Sequence, residues 1–123
     1  MPILESDWKK FKGLRQIALD RFCQNVLADA KTIAQHDALS AHTRYVMLYR
    51  LMRDRDKDLV QAFDDNSQSR SSALMGLWLM VMHDLLTEEE LSVLSDGALD
   101  SIKEVVRQPY ELEWMDEIPP HDW

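Results

Sequence analysis

Apolar residues recur at helical spacing along the first third of the chain. From Trp8 to Ile33 the apolar positions follow one another in steps of three or four residues, which places them on one face of a helix. Ser6 can cap this helix at its start, and Asp7 is favourable in its first turn. The pattern predicts a first helix over residues 6–35, roughly 45 Å long at about 1.5 Å per residue.

A second apolar stripe follows a short polar break. Ser40 offers a helix cap at its start. The stripe consists of Tyr45, Leu48, Met52, Leu59 and Phe63, widened by Val46, Tyr49, Leu51 and Val60. We therefore predict a second helix over residues 40–63 with this stripe as its apolar face. The polar run 64–69 has the composition of a loop.

The third predicted helix is apolar on every side. It covers residues 70–86, and from Ala73 to Leu86 only His83 and Asp84 are clearly polar. A helix that is apolar all round is buried all round. We expect this helix to be the central element of a bundle, or to bury one side against a partner chain.

Shorter elements follow. Thr87 and Glu90 have the spacing of a capping box, which predicts a short fourth helix. The segment 95–97 interrupts the chain, and a fifth helix must end before Pro109 because proline disfavours helix in the residue that precedes it.

Together these elements predict an all-α fold. We expect a bundle of four to five helices, with two long N-terminal helices, a buried central helix and a short C-terminal helical hairpin plus tail. The length of 123 residues suits one domain. We assign residues 1–108 to a single helical domain and residues 109–123 to an acidic, aromatic tail. The stretch between Pro2 and Pro109 contains no proline, which favours helices.

The charge is unevenly distributed along the chain, whose formal net charge is −8. Residues 1–57 hold eleven Lys or Arg against seven Asp or Glu, whereas residues 58–123 hold three against fifteen. If the first two helices pack antiparallel, their basic clusters lie towards the same end. An alternative function is therefore binding of nucleic acid or a phosphate ligand. The candidate patch consists of Lys9, Lys10, Lys12, Arg15, Arg50 and Arg53. The excess of acid in the second half disfavours this alternative.

No set of residues has a diagnostic spacing for catalysis or metal binding. The four histidines are not spaced as metal ligands on one helix face, so we predict neither a metal nor a cofactor. Cys23 stands among apolar residues and is expected to pack as a small hydrophobe. The remaining alternative is an enzyme with a site near His83 and Asp84, which requires a pocket beside His83 and a perturbed imidazole.

Large apolar residues in the third helix and in the tail suggest protein binding. The leading hypothesis is a non-enzymatic protein–protein interaction module that pairs with itself as a homodimer or binds another protein. The candidate partner-binding residues are Trp78, Met75, Met82, Trp114, Ile118 and Trp123. For the tail we favour docking on its own domain over docking on a partner. We expect a cytoplasmic protein without a membrane span, because the longest apolar run is about half of the roughly 20 residues that a span needs.

Overall fold

The computed structural model describes residues 3–122. Five α-helices follow one another: α1 (Glu5–Ala34), α2 (Ala41–Leu59), α3 (Ala73–Met82), α4 (Glu88–Leu91) and α5 (Asp96–Ile102). A π-helical segment, Val60–Asp65, continues α2, and a 3₁₀ turn covers Pro120–Asp122. These residues contain no strand, so the predicted all-α class is confirmed. Within the same range, no helix combines the length and the apolar character that a membrane crossing requires.

The core lies where α1 and α2 pack antiparallel and α3 covers them. Phe22 in the middle of α1 meets Phe63, which follows α2, with ring centroids 5.9 Å apart. α3 packs against α1, the π-helical segment and α5. The largest fully buried apolar side chains are Phe11, Phe22, Phe63, Ile33, Leu51, Leu77, Met80, Leu85 and Leu86.

The buried face of α2 differs from the predicted stripe. Tyr45, Tyr49 and Met52 are exposed. The positions that face the core are Thr43, Met47, Leu51 and Arg55. Two of these residues are polar, and each finds a partner inside the fold: Thr43 accepts a hydrogen bond from the Ile118 amide, and Arg55 pairs with Asp58. A pattern that counts only apolar residues therefore finds Leu51 and Phe63, but it misses Thr43 and Arg55 and assigns three exposed residues to the apolar face.

The third helix is shorter than predicted, and it is not buried all round. Of its side chains, Met75 is 53% exposed and Trp78 is 37% exposed. The helix ends because Asp84 takes a left-handed conformation with φ of 60°. The Leu85 amide then donates to the Met80 carbonyl, and the Asp84 amide to the Val81 carbonyl, which is the Schellman pattern of helix termination.

The predicted caps of the second and fourth helices are confirmed. The Ser40 hydroxyl accepts from the Thr43 amide, and Thr87 and Glu90 form both hydrogen bonds of a capping box. Glu90 also accepts two hydrogen bonds from the guanidinium of Arg21. These Arg21 bonds, and then the bond from the Thr87 amide, lower the pKa of Glu90 to about 2. The capping box thus joins α4 to α1.

The N-terminal cap of α1 differs from the prediction. The helix begins at Glu5, so Ser6 lies inside its first turn rather than at the cap. Asp7 is only 2% exposed, and its carboxylate accepts hydrogen bonds from the backbone amide and the hydroxyl of Ser95. Ser95 is the N-cap residue of α5. One buried carboxylate therefore ties the first helix to the last.

Candidate functional site

The tail lies in extended form against its own helices, as expected. The Gln108 amide donates to the Met82 carbonyl at 2.7 Å, and the Ile118 amide donates to Thr43 Oγ1 at 3.0 Å. At the start of α2, the Ser40 amide donates to the Glu117 carboxylate. The Ser40 side chain, and then this backbone bond, lower the pKa of Glu117.

The aromatic residues of the tail contact the helical domain. Trp114 lies 4.2 Å from His36 between ring centroids, and Tyr110 covers Arg55. Ile118 is half-buried. Trp114 and Ile118, which the sequence suggests for partner binding, thus contact their own chain, although Trp114 is still 44% exposed. Trp123 lies outside the described residues.

The candidate residues of the third helix share one side of it. Met75, Trp78 and Met82 are spaced by three and four residues, which aligns them along α3. Met75 and Trp78 are exposed, whereas Met82 is half-buried beside the tail. This stripe is therefore accessible, but it is narrow.

The basic residues do not form one patch. The helices α1 and α2 run antiparallel, and Phe22 of α1 is level with Arg55 of α2. At about 1.5 Å per residue, this alignment places Arg53 of α2 about 18 Å along the helix axis from Lys12 of α1. Arg53 pairs with Asp54, which precedes Arg55. The expected phosphate patch of Lys9, Lys10, Lys12, Arg15, Arg50 and Arg53 is therefore divided between two regions of the surface.

Two members of that patch have structural roles. Arg15 donates to the Phe63 carbonyl and to the Ser67 hydroxyl, each at 2.8 Å, and so satisfies a carbonyl of the π-helical segment. Lys10 donates to the carbonyl of Val93. These hydrogen bonds account for part of the positive charge that the sequence suggested for phosphates.

A polar cavity of about 290 Å³ lies between α1, the end of α3 and the tail. We name it the Arg55–His83 cavity. It is lined by Asn25, Ala28, Asp29, Arg55, His83, Asp84, Pro109 and Tyr110. The Arg55 side chain is only 5% exposed and donates to Asp58 at 2.8 Å. Its guanidinium carbon lies 4.3 Å from the ring centroid of Phe22 and 4.5 Å from that of Tyr110.

His83 forms part of the cavity wall. Burial lowers the pKa of His83; nearby Asp58 raises this pKa and nearby Arg55 lowers it. Its Nε2 is buried and makes no hydrogen bond to any of the residues 3–122. The pocket and the perturbed imidazole that the enzyme alternative requires are both present. Among the described residues, no Ser, Thr or Cys lines the cavity, and catalysis stays a hypothesis.

The lowered pKa of His83 predicts a pH dependence of stability. Between the folded pKa and the ordinary value of about 6.5, the unfolded chain binds more protons at this site. The contribution of neutral His83 to the free energy of unfolding is therefore complete above about pH 6.5. It is lost as the pH falls through that value towards the pKa of His83 in the folded protein. We expect the urea-unfolding free energy of the protein to drop between pH 7.5 and pH 5.5 (about one unit on either side of that value), and to drop less in His83→Phe.

The control for this experiment is His121→Phe, because His121 is exposed. Glu90 does not interfere, since its pKa of about 2 and its ordinary value of 4.5 both lie below this pH range. An equal drop in His83→Phe and His121→Phe would contradict the assignment to His83.

A second cavity of about 230 Å³ opens on the other side of α1, in the groove between α1 and α2. Its lining residues are Phe22, Cys23, Val26, Leu27, Met52, Arg55, Asp56 and Leu59. Leu27 is 68% exposed and Met52 is 52% exposed. Cys23 is exposed too, contrary to its expected place in the core. No sequence pattern indicates this groove, because its residues have the spacing of core positions.

Neither a metal centre nor a known relative defines a site. Within residues 3–122, no three His, Cys, Asp or Glu side chains converge in a way that could hold a metal ion. Comparisons with known protein families, with curated proteins and with solved structures give no match for this chain.

Proposed function

We propose that this protein is a non-enzymatic interaction module that pairs with a second copy of itself through the outer side of α1 and α2. The observation that carries the proposal is a strip of exposed apolar side chains on these two helices. We name this strip the α1–α2 face; it consists of Cys23, Leu27, Tyr45, Tyr49 and Met52. Exposed apolar strips of this kind mark interaction sites.

Helix geometry makes the strip continuous. Tyr45, Tyr49 and Met52 are spaced by four and three residues and lie on one side of α2. Cys23 and Leu27 are one turn apart on α1, and they meet Met52 at the groove. Tyr and Met are enriched at the centres of protein interfaces, where their large apolar surfaces exclude water.

The charges around the α1–α2 face favour a second copy as the occupant. Asp20 and Asp56 lie at one end of the strip, whereas Lys31 lies about 16 Å further along α1. All three side chains are exposed. When two copies pack antiparallel about a two-fold axis, Lys31 of each copy approaches the acidic end of the other.

The exposed thiol of Cys23 agrees with this proposal. It lies on the α1–α2 face, and dimer formation would cover it. The chain has no second cysteine with which it could form an internal disulfide. A reducing compartment such as the cytoplasm keeps such a thiol free, and this supports a cytoplasmic location within the proposal.

Sedimentation equilibrium over a concentration series tests the proposal. We expect the unmodified protein to form a dimer, and Leu27→Asp to be monomeric with an unchanged helical circular dichroism spectrum, because a buried unpaired carboxylate costs several kcal/mol. Val106→Asp is the matched control, since Val106 is 67% exposed, close to the 68% of Leu27, and lies outside the face. A monomer at every concentration, or equal dissociation of both variants, would refute the proposal.

Charge reversal tests the orientation of the pair. We expect Lys31→Glu to weaken the dimer, and the double variant Lys31→Glu with Asp20→Lys to restore most of the loss. Rescue requires the two residues to meet across the two-fold axis, because both variants leave the apolar strip unchanged. Failure of the rescue, with a dimer still present, would reject the antiparallel arrangement.

A further inference from the structure

We propose that the Arg55–His83 cavity binds a small zwitterion of the size of a free amino acid, with its carboxylate towards Arg55 and its ammonium group towards Asp29. Arg55 also lines the groove between α1 and α2, but the two sites open on different sides of α1. Asn25 and Asp29 line the cavity from the side of α1 nearly opposite to Cys23 and Leu27.

Arg55 is suited to hold a carboxylate. A guanidinium has five N–H donors in a planar fork. The structure gives Arg55 one hydrogen bond, to Asp58, so most of these donors have no hydrogen-bond partner within residues 3–122. Phe22 and Tyr110 flank the guanidinium, so a ligand must reach it at its edge. Edge contact by a buried guanidinium is the geometry of carboxylate recognition.

The charge balance of the cavity requires a positive group on the same ligand. Asp58 compensates Arg55, and Arg107 compensates Asp84 at 2.8 Å. Asp29 is half-buried, and within the described range it makes neither an ion pair nor a hydrogen bond. A ligand that carried only a carboxylate would add a second uncompensated negative charge. An ammonium group on the ligand pairs with Asp29 and removes this repulsion.

The remaining walls set the size and the polarity of the ligand. Known small-molecule pockets occupy roughly 300–1,000 Å³, so a cavity of about 290 Å³ suits a molecule at the small end. His83 contributes to the wall, but its Nε2 is buried and has no hydrogen-bond partner within residues 3–122, so Arg55 and Asp29 are the groups that would hold the charged ends of the ligand. Pro109 and Tyr110 close one side, so the docked tail completes the site.

The test is an NMR titration of the ¹⁵N-labelled full-length protein with each free L-amino acid. For an amino acid that binds, two further probes are titrated: the matching amine, which lacks the carboxylate, and the matching carboxylic acid, which lacks the amine. We expect saturable shifts of the amides around Asn25, Asp29, His83 and Tyr110 with at least one amino acid. Each truncated probe should bind about tenfold more weakly or worse, because each lacks one charge-assisted hydrogen bond.

The variant Asp29→Asn locates the site. It should weaken binding of the amino acid about tenfold or more while the unfolding midpoint stays unchanged, because Asp29 makes no ion pair or hydrogen bond with the part of the chain that the structure describes. Asp37→Asn is the matched control, since Asp37 is exposed and lies outside the cavity. The proposal is overturned if no amino acid gives saturable shifts, if either truncated probe binds as tightly as the amino acid, or if Asp29→Asn binds as the control does.

Discussion

Gly76→Ala is expected to destabilise the protein by about 3 kcal/mol, the largest effect among Gly13, Gly76 and Gly97. Gly76 lies in α3, where the helix passes close to the backbone that follows the π-helical segment. A Cβ at this position would overlap the Asn66 carbonyl oxygen and would lie 3.0 Å from Ser67 Cβ. Because the overlapping atom belongs to the backbone, no side-chain rotation relieves the clash, and α3 must move away from the core.

The control is Gly13→Ala. Gly13 is exposed in α1, and beyond the adjacent helix backbone a Cβ there meets no atom of residues 3–122 within 4 Å. Alanine is favoured over glycine inside a helix by about 1 kcal/mol, so this variant should gain stability. Urea unfolding followed by circular dichroism measures both changes. Equal changes in the free energy of unfolding for the two variants would show that Gly76 is farther from the Asn66 carbonyl than the structure indicates.

Asp7→Ala should cost about 2–3 kcal/mol, the second largest effect expected. The Asp7 carboxylate accepts from the Ser95 amide at 2.9 Å and also from the Ser95 hydroxyl. The same hydroxyl accepts from the Ala98 amide and caps α5. Removal of the carboxylate leaves the Ser95 amide without its partner at a site where Asp7 itself is buried, and it weakens the cap.

Glu5→Ala is the matched control for Asp7→Ala. Glu5 stands in the same first turn and carries the same charge, but its ion pair with Arg70 is more than half exposed. Such surface pairs contribute about 0–1 kcal/mol. A double-mutant cycle between Asp7→Ala and Ser95→Ala should give a coupling energy of about 1–2 kcal/mol. A coupling energy near zero would show that the bond between α1 and α5 contributes nothing to stability.

Gly76→Ala and Asp7→Ala both test contacts between segments that are distant along the chain. This distance explains why the sequence did not reveal these contacts. Asp7 and Ser95 are 88 residues apart. In the sequence, Asp7 has the pattern of a solvated residue at a helix start. Its burial depends on where α5 docks, which no local pattern encodes.

For the same reason, the sequence predicts only part of each candidate site. A pocket beside His83 was part of the enzyme alternative, and it is present, but the cavity also needs Arg55 and Tyr110, whose approach depends on the docked tail. The basic clusters were expected to meet, yet Phe22 is level with Arg55, and this helix alignment keeps them apart. Which residues converge is a property of helix register.

The sequence by itself determined the helical class, the positions of the two long helices, the cap at Ser40 and the capping box at Thr87. These features depend on residues three or four positions apart, whose interactions form within a single helix. Tertiary structure alone decided which face of α2 is buried. Thr43 and Arg55 enter the core because the tail and Asp58 satisfy them, and as a result Tyr45, Tyr49 and Met52 are left exposed on the α1–α2 face. The surface proposed for self-association therefore follows from polar contacts that bring distant segments together, which hydrophobic periodicity does not encode.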